Sequence, residues 1–233
     1  VNHQNVGPFI GKQLIQRLVK SNPSPAYVSR VAAAFNDNGA GVRGDMKAVI
    51  KAVLLDEEAR SCDWYNAPDQ GKLKEPIVRY THFARAVGGV SESGFFWNRG
   101  DKYDDDAGQH PMYSPSVFNF YWPDFQPVGP IGNQGLFAPE FQVHNSRTSI
   151  GFVNFVNEWV VNETLLKTKD NPARPVLTHI DDLITHAEDT EILINELDIL
   201  LTNGMLRDDT RQLITTVVDP LEDPYEKVKL NGD

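Results

Sequence analysis

The stretch Pro115-Ser116-Val117-Phe118-Asn119-Phe120-Tyr121-Trp122-Pro123-Asp124-Phe125 lies in the middle of a 233-residue chain and carries five aromatic residues in eleven positions. Pro115 and Pro123 each remove a backbone donor and restrict the residue before them, so a continuous helix through the segment is disfavoured. It reads as an irregular or short helical stretch that inserts its rings into a core. Its aromatic content separates it from disordered chain, which is poor in such residues. Around it, from Val90 to Ala138, Gly, Pro, Asp and aromatic residues dominate, and neither the helical nor the strand period persists. The expectation is a large ordered loop over residues 90–138, packed on a helical bundle.

The flanks on both sides are helical. Ile10, Leu14, Ile15, Leu18 and Val19 recur at helical spacing between Val6 and Lys20, with Lys12, Gln13, Gln16 and Arg17 on the other side. Ser24 followed by Pro25 reads as an N-cap and first helical residue, for a helix running to about Phe35 and stopped by Asn36-Asp37-Asn38-Gly39. Asp45 caps a third helix, and Gly71-Lys72-Leu73-Lys74-Glu75-Pro76 leads into a fourth that ends at Gly88-Gly89. Beyond the aromatic segment, the pattern predicts a long helix from Pro139 to about Asn162. Further helices are expected over 179–186, 190–201 and 208–218, with a polar tail after Pro220. The reading is an all-α, multi-helix bundle of one domain, 1–233, with the aromatic and proline-rich loop between its helices.

Composition narrows the function classes. The formal charge of −10 and pI near 5.0 argue against a nucleic-acid binder, which needs a basic face for phosphate. No apolar run approaches the length needed to span a bilayer. Cys62 is the single cysteine, so no intrachain disulfide forms. It is followed by Asp63, which would raise its pKa, so it reads as a buried or half-buried structural thiol. The chain opens on Val1-Asn2-His3-Gln4 rather than on a signal peptide, so a fragment of a longer protein is expected and this end says nothing of localisation.

Candidate chemistry is sparse. Asp101, Asp104, Asp105 and Asp106, followed by Gly108, offer the carboxylate oxygens that calcium requires, but their spacing is not that of an EF-hand loop, and a solvated acidic surface is the alternative. No other cofactor is expected. His179, Asp182 and His186 would share one helix face and could hold a transition metal, although a polar exterior face is the preferred reading. Ser116, His144 and Asp124 can be assembled as a triad only on paper, since no nucleophile elbow accompanies them, and the Ser116 hydroxyl reads as a turn contact. Flat side chains stack on sugar rings or on an apolar polymer. Most rings of the aromatic region are read as buried, whereas Trp97, Tyr103 and Tyr113, flanked by polar residues, are the candidate exposed ligand-binding residues.

Several ordered motifs carry a resemblance. They are Asn5 to Ile10 with Gln13 to Val19, Ser21 to Pro25 with Tyr27-Val28, Phe35 to Gly39, Gly44 to Val49, Leu54 to Asp56, Gly71 to Pro76, Ser114 to Phe120, and Leu136 to Phe141. On these the chain resembles the bacterial domain of unknown function 1800 family, and it looks like the C-terminal portion of such a domain. The resemblance implies a largely helical, often exported bacterial protein (periplasmic or extracellular) and no assigned activity. The leading expectation is a non-enzymatic exported or envelope-associated protein acting through contacts with its own N-terminal part, another protein, or a polymer. The alternative is a hydrolase-like enzyme sharing its site with an N-terminal part, in which Asp124, His144 and Arg147 would converge near the aromatic segment.

Overall fold

The computed structural model describes residues 2–62, 67, 70–91, 94, 100–161, 164–166, 176–177 and 180–219, the side chains of 100–103, 159, 164–166, 176–177 and 182 excepted. The helices are α1 (Val6–Leu18), α2 (Pro25–Asn36), α3 (Met46–Leu55), α4 (Glu57–Arg60), α5 (Pro76–Ala86) and α6 (Gly100–Ala107). They continue with α7 (Pro130–Asn133), α8 (Ser146–Val161), α9 (Asp181–Thr185), α10 (Thr190–Leu197) and α11 (Asp208–Val218). Three very short strands accompany them, β1 (Val90–Ser91), β2 (Thr164–Leu166) and β3 (Val176–Leu177). The fold is all-α, as the periodicity indicated. The chain divides into two compact units, Val1–Ile77 with Gly100–Val153, and Val78–Arg99 with Asn154–Asp233.

In the first unit, α1, α2 and α3 pack mutually around Ile15, Tyr27, Val31, Phe35, Val49 and Val53, all buried. Local chemistry sets their starts. Ser24 accepts the backbone N–H of Tyr27, and the Asp45 carboxylate accepts those of Lys47 and Ala48, so both expected caps are present. Gly11 permits the close approach of α1 to α2, because a Cβ there would stand 3.0 Å from the Val31 side chain. Glu58, on α4, ties the helices together by accepting from Ser24 and pairing with Lys20 at 2.9 Å.

The 90–138 region is not uniformly irregular. It contains α6, ended by Gly108 at φ 71°, whose N–H bonds the Asp104 carbonyl at 2.8 Å. The sequence hid this helix because five of its eight residues are charged, leaving no apolar stripe to betray the period. The long helix also starts later than expected. Pro139–Gln142 is a 3-10 turn, and α8 begins at Ser146. Asn145 Oδ1 accepts from the N–H groups of Arg147 and Thr148, and Thr148 Oγ1 accepts from the Asn145 N–H, a reciprocal cap that resets the chain after the turn.

In the second unit, β3 pairs antiparallel with β1 and β2, with Val90 opposite Leu177 and an irregular register along β2. Strands this short show no alternation in sequence, which is why none was expected. The chain widens into a π-helical turn over Asp198–Thr202 after α10 and stops at Asn203 and Gly204, both at positive φ. The buried Asp198 carboxylate accepts from Thr202 Oγ1, the Leu206 N–H and Arg211 Nη2, fastening this turn to α11. The expected polar tail after Pro220 lies outside the described residues.

Candidate functional site

The aromatic segment has two sides. Of its rings only Tyr121 is buried, at 2% exposure, while Phe118, Phe120 and Phe125 are half-buried and Trp122 is exposed. The rings therefore do not form the deep anchor expected of them. The segment is fastened chiefly through its backbone: Gln16 Nε2 donates to the Pro123 carbonyl at 2.9 Å and Arg17 Nη2 to the Phe118 carbonyl at 2.8 Å. The Arg17 guanidinium also lies 4.1 Å from the centre of the Tyr121 ring. Asn22 clasps Phe137 in both directions, donating to its carbonyl at 2.8 Å and accepting its N–H at 2.9 Å. The Ala138 N–H bonds the Phe125 carbonyl at 2.9 Å, which sets the entry to the turn bearing Glu140.

These ties gather a buried polar cluster between α1, the segment and the Pro139–Gln142 turn. Glu140 is 1% exposed, and its Oε1 pairs with Lys72 Nζ at 3.0 Å, which also donates to the Arg17 carbonyl at 2.8 Å. Gln109, equally buried, donates to Glu75 at 2.7 Å and accepts the Ile77 N–H. Burial pushes the Tyr121 phenol well above its ordinary pKa, the carboxylates of Glu75 and Glu140 push the same way, and Arg17 opposes them. The hydroxyl is close enough to Glu75 for the carboxylate to act on its titration, yet it makes no hydrogen bond of good geometry. A small pocket opens here, lined by Gln13, Gln16, Arg17, Tyr121, Pro123, Pro139 and Glu140.

Several large apolar side chains of the segment and its flanks are exposed. Tyr113 is 76% exposed and meets His110 edge-on at 4.8 Å, Val117 is 95% exposed, and Met112, Trp122 and Val128 also face solvent. Trp122 packs at a tilt against Phe118, 4.9 Å between ring centres.

The remaining sequence candidates are dispersed. Trp97 and His179 lie outside the described residues, as do the side chains of Asp101, Tyr103 and Asp182. The acidic cluster sits on α6 rather than on a loop, with Asp104 and Asp105 exposed. Among the described residues, no group of three His, Cys, Asp or Glu side chains gathers to hold a metal. His186 pairs with Glu196 at 2.6 Å. Ser116 Oγ donates to the Asn119 carbonyl and accepts the Phe118 N–H, the turn role expected of it. Asp124 is exposed, His144 contacts Ser149 and Phe141, and the Arg147 guanidinium bonds the Asp105 carbonyl, so the contacts described for these three lead apart. Cys62 is exposed rather than buried.

The polar cluster escaped the sequence reading, although its members were in view. Gln16 and Arg17, Lys72 and Glu75, and Glu140 belong to three separate motifs of the resemblance, each a charged or amide residue inside an apolar or proline-bounded string. The whole chain bears the same relation: it matches the model of a protein family of unknown function, DUF1800, over residues 1–230. The chain belongs to the DUF1800 family. No curated protein and no solved structure matches it. Among the described residues of this DUF1800 chain, no helix is long and apolar enough to cross a membrane.

Proposed function

We propose that this DUF1800 chain is a non-catalytic contact protein, exported or envelope-associated in its bacterium, that binds a protein or polymer through the outward side of its aromatic segment. The observation that carries this reading is the exposure of Met112, Tyr113, Val117, Trp122 and Val128 within one stretch. Large apolar side chains concentrated in this way on a surface mark contact sites more often than they occur by chance. Aromatic and Met residues are those that protein interfaces favour. The segment is also held by backbone bonds from α1, so its outer side chains are presented on a fixed frame. Export rests on the family resemblance, and the appearance of the native protein in a periplasmic or culture-fluid fraction checks it.

The direct test is cosedimentation of the full-length protein with purified bacterial cell-envelope material. The wild-type protein is expected to pellet with the envelope, and Val117→Asp to remain in the supernatant with an unchanged melting temperature. Equal pelleting of the two proteins, or none by the wild type, removes this reading.

A further inference from the structure

Met112 is 100% exposed, on the tight turn that leads from α6 into the aromatic segment. The Tyr113 N–H bonds the His110 carbonyl at 3.0 Å, which puts Pro111 and Met112 at the two central positions of that turn. Met112 lies at φ 65°, and a turn with proline first and a positive φ second ordinarily carries glycine there. A long side chain in this conformation is strained, and burial returns nothing to Met112 in exchange. Neither the turn nor the core therefore accounts for a methionine at this place. Strain of this kind recurs where a residue serves a function.

A thioether is flexible and polarizable, which suits an adaptable contact, and it is also open to oxidation. The sulfur gives an electron pair to one oxygen of hydrogen peroxide and the O–O bond breaks. The departing hydroxide takes the proton of the new S–OH group and leaves as water, so sulfur is oxidised to the sulfoxide and the peroxide is reduced. The other two methionines, Met46 and Met205, are each more than half covered. We propose that Met112 is a peroxide-sensitive modification site, whose conversion to the sulfoxide releases the contact made through the aromatic segment. The proposal rests on the contact reading above and adds its regulation. As a thioether Met112 sheds water readily, whereas the sulfoxide oxygen is a strong acceptor whose burial without a partner is costly.

The test treats the full-length protein with hydrogen peroxide, follows each methionine by peptide mass spectrometry, and cosediments the product with bacterial cell-envelope material. Met112 is expected to oxidise about twofold or more faster than Met46 and Met205, in the order of their exposure. Its oxidation is expected to weaken pelleting about tenfold, with the fold intact by circular dichroism. Methionine sulfoxide reductase should restore pelleting, whereas dithiothreitol alone, which reduces oxidised Cys62 but not a sulfoxide, should not. Met112→Leu is expected to pellet equally before and after peroxide. Slower oxidation of Met112 than of the other two, equal pelleting of oxidised and untreated wild type, or recovery with dithiothreitol alone overturns the inference and leaves the contact reading standing. So does a peroxide-dependent loss that persists in Met112→Leu, which would assign the effect to another residue. Failure of the untreated wild type to pellet removes the contact reading, and the switch with it.

Discussion

Glu140 carries a carboxylate at 1% exposure, and Lys72, 3.0 Å away, balances it. Removing one member of a buried pair leaves the other charge uncompensated, whereas replacing both removes the desolvation cost along with the attraction. Lys72→Met is therefore expected to destabilise the protein by about 3 kcal/mol, and Lys72→Met with Glu140→Gln to recover more than half of that loss. Urea unfolding of the single and double variants checks this, and additive effects would show that the two side chains are not coupled. Neither residue stood out in the sequence as part of a site. Gln16 meets Pro123 across 107 positions of chain, and no local period or spacing encodes such a meeting. The visible signal was a charged side chain inside an apolar motif, such as Glu140 between Pro139 and Phe141, because a charge in such a setting must find a partner when buried.

Helix starts were the most legible elements. Ser24 and Asp45 each placed a cap within the sequence itself, because an N-cap is satisfied by backbone N–H groups two or three residues on. α6 was illegible, and its position is fixed by packing: Ala107 is fully buried, and α8 crosses α6 at Gly151. A Cβ at Gly151 would press well inside contact distance of the Asp106 carbonyl oxygen, a backbone atom that cannot rotate away. Intrinsic propensity favours alanine over glycine inside a helix by about 1 kcal/mol, so the two considerations predict opposite signs for Gly151→Ala. The close approach decides it, and the variant is expected to lose about 2 kcal/mol or more in thermal unfolding. A gain in stability would mean that α6 and α8 do not approach as described.

For the molecule as a whole, ionisable groups of the helical core bound the pH range in which the fold is stable. Hydrogen bonding to Arg30 holds Asp56 below the usual carboxylate range. Burial opposes ionisation of Glu58, but its bonds from Ser24 and Lys20 together outweigh that and lower its pKa as well. Groups depressed in this way stabilise the fold above their unfolded values of about 4, and that contribution is lost as pH falls through the folded ones. Tyr27 is shifted the other way. Burial, then Asp56 and Glu58, push its phenol up to about 12, and its hydroxyl donates to the Val53 carbonyl. Its contribution is complete below the unfolded value of about 10 and is lost as pH rises through the folded value. The melting temperature is thus expected to be flat between about pH 5 and pH 10 and to fall on both sides. Asp56→Asn should shallow the acidic limb and Tyr27→Phe the alkaline one. An alkaline limb unchanged in Tyr27→Phe would assign that loss to other tyrosines, such as Tyr80, also pushed up to about 12 by burial.

Taken alone, the amino-acid sequence determined the class of the fold, the starts of α2 and α3, the family and the irregular character of the aromatic segment. Each of these is written in local spacing, capping chemistry or ordered motifs. Only the tertiary structure decided which way that segment faces. Pro115 to Phe125 has enough aromatic surface to fill a core, yet Gln16 and Arg17 hold it by its carbonyls, so Tyr121 turns inward over the polar pocket and Trp122 outward. The physical reason is that a backbone carbonyl is present at every residue. Which of them a distant side chain will meet depends on the path of the whole chain, and composition carries no trace of that path.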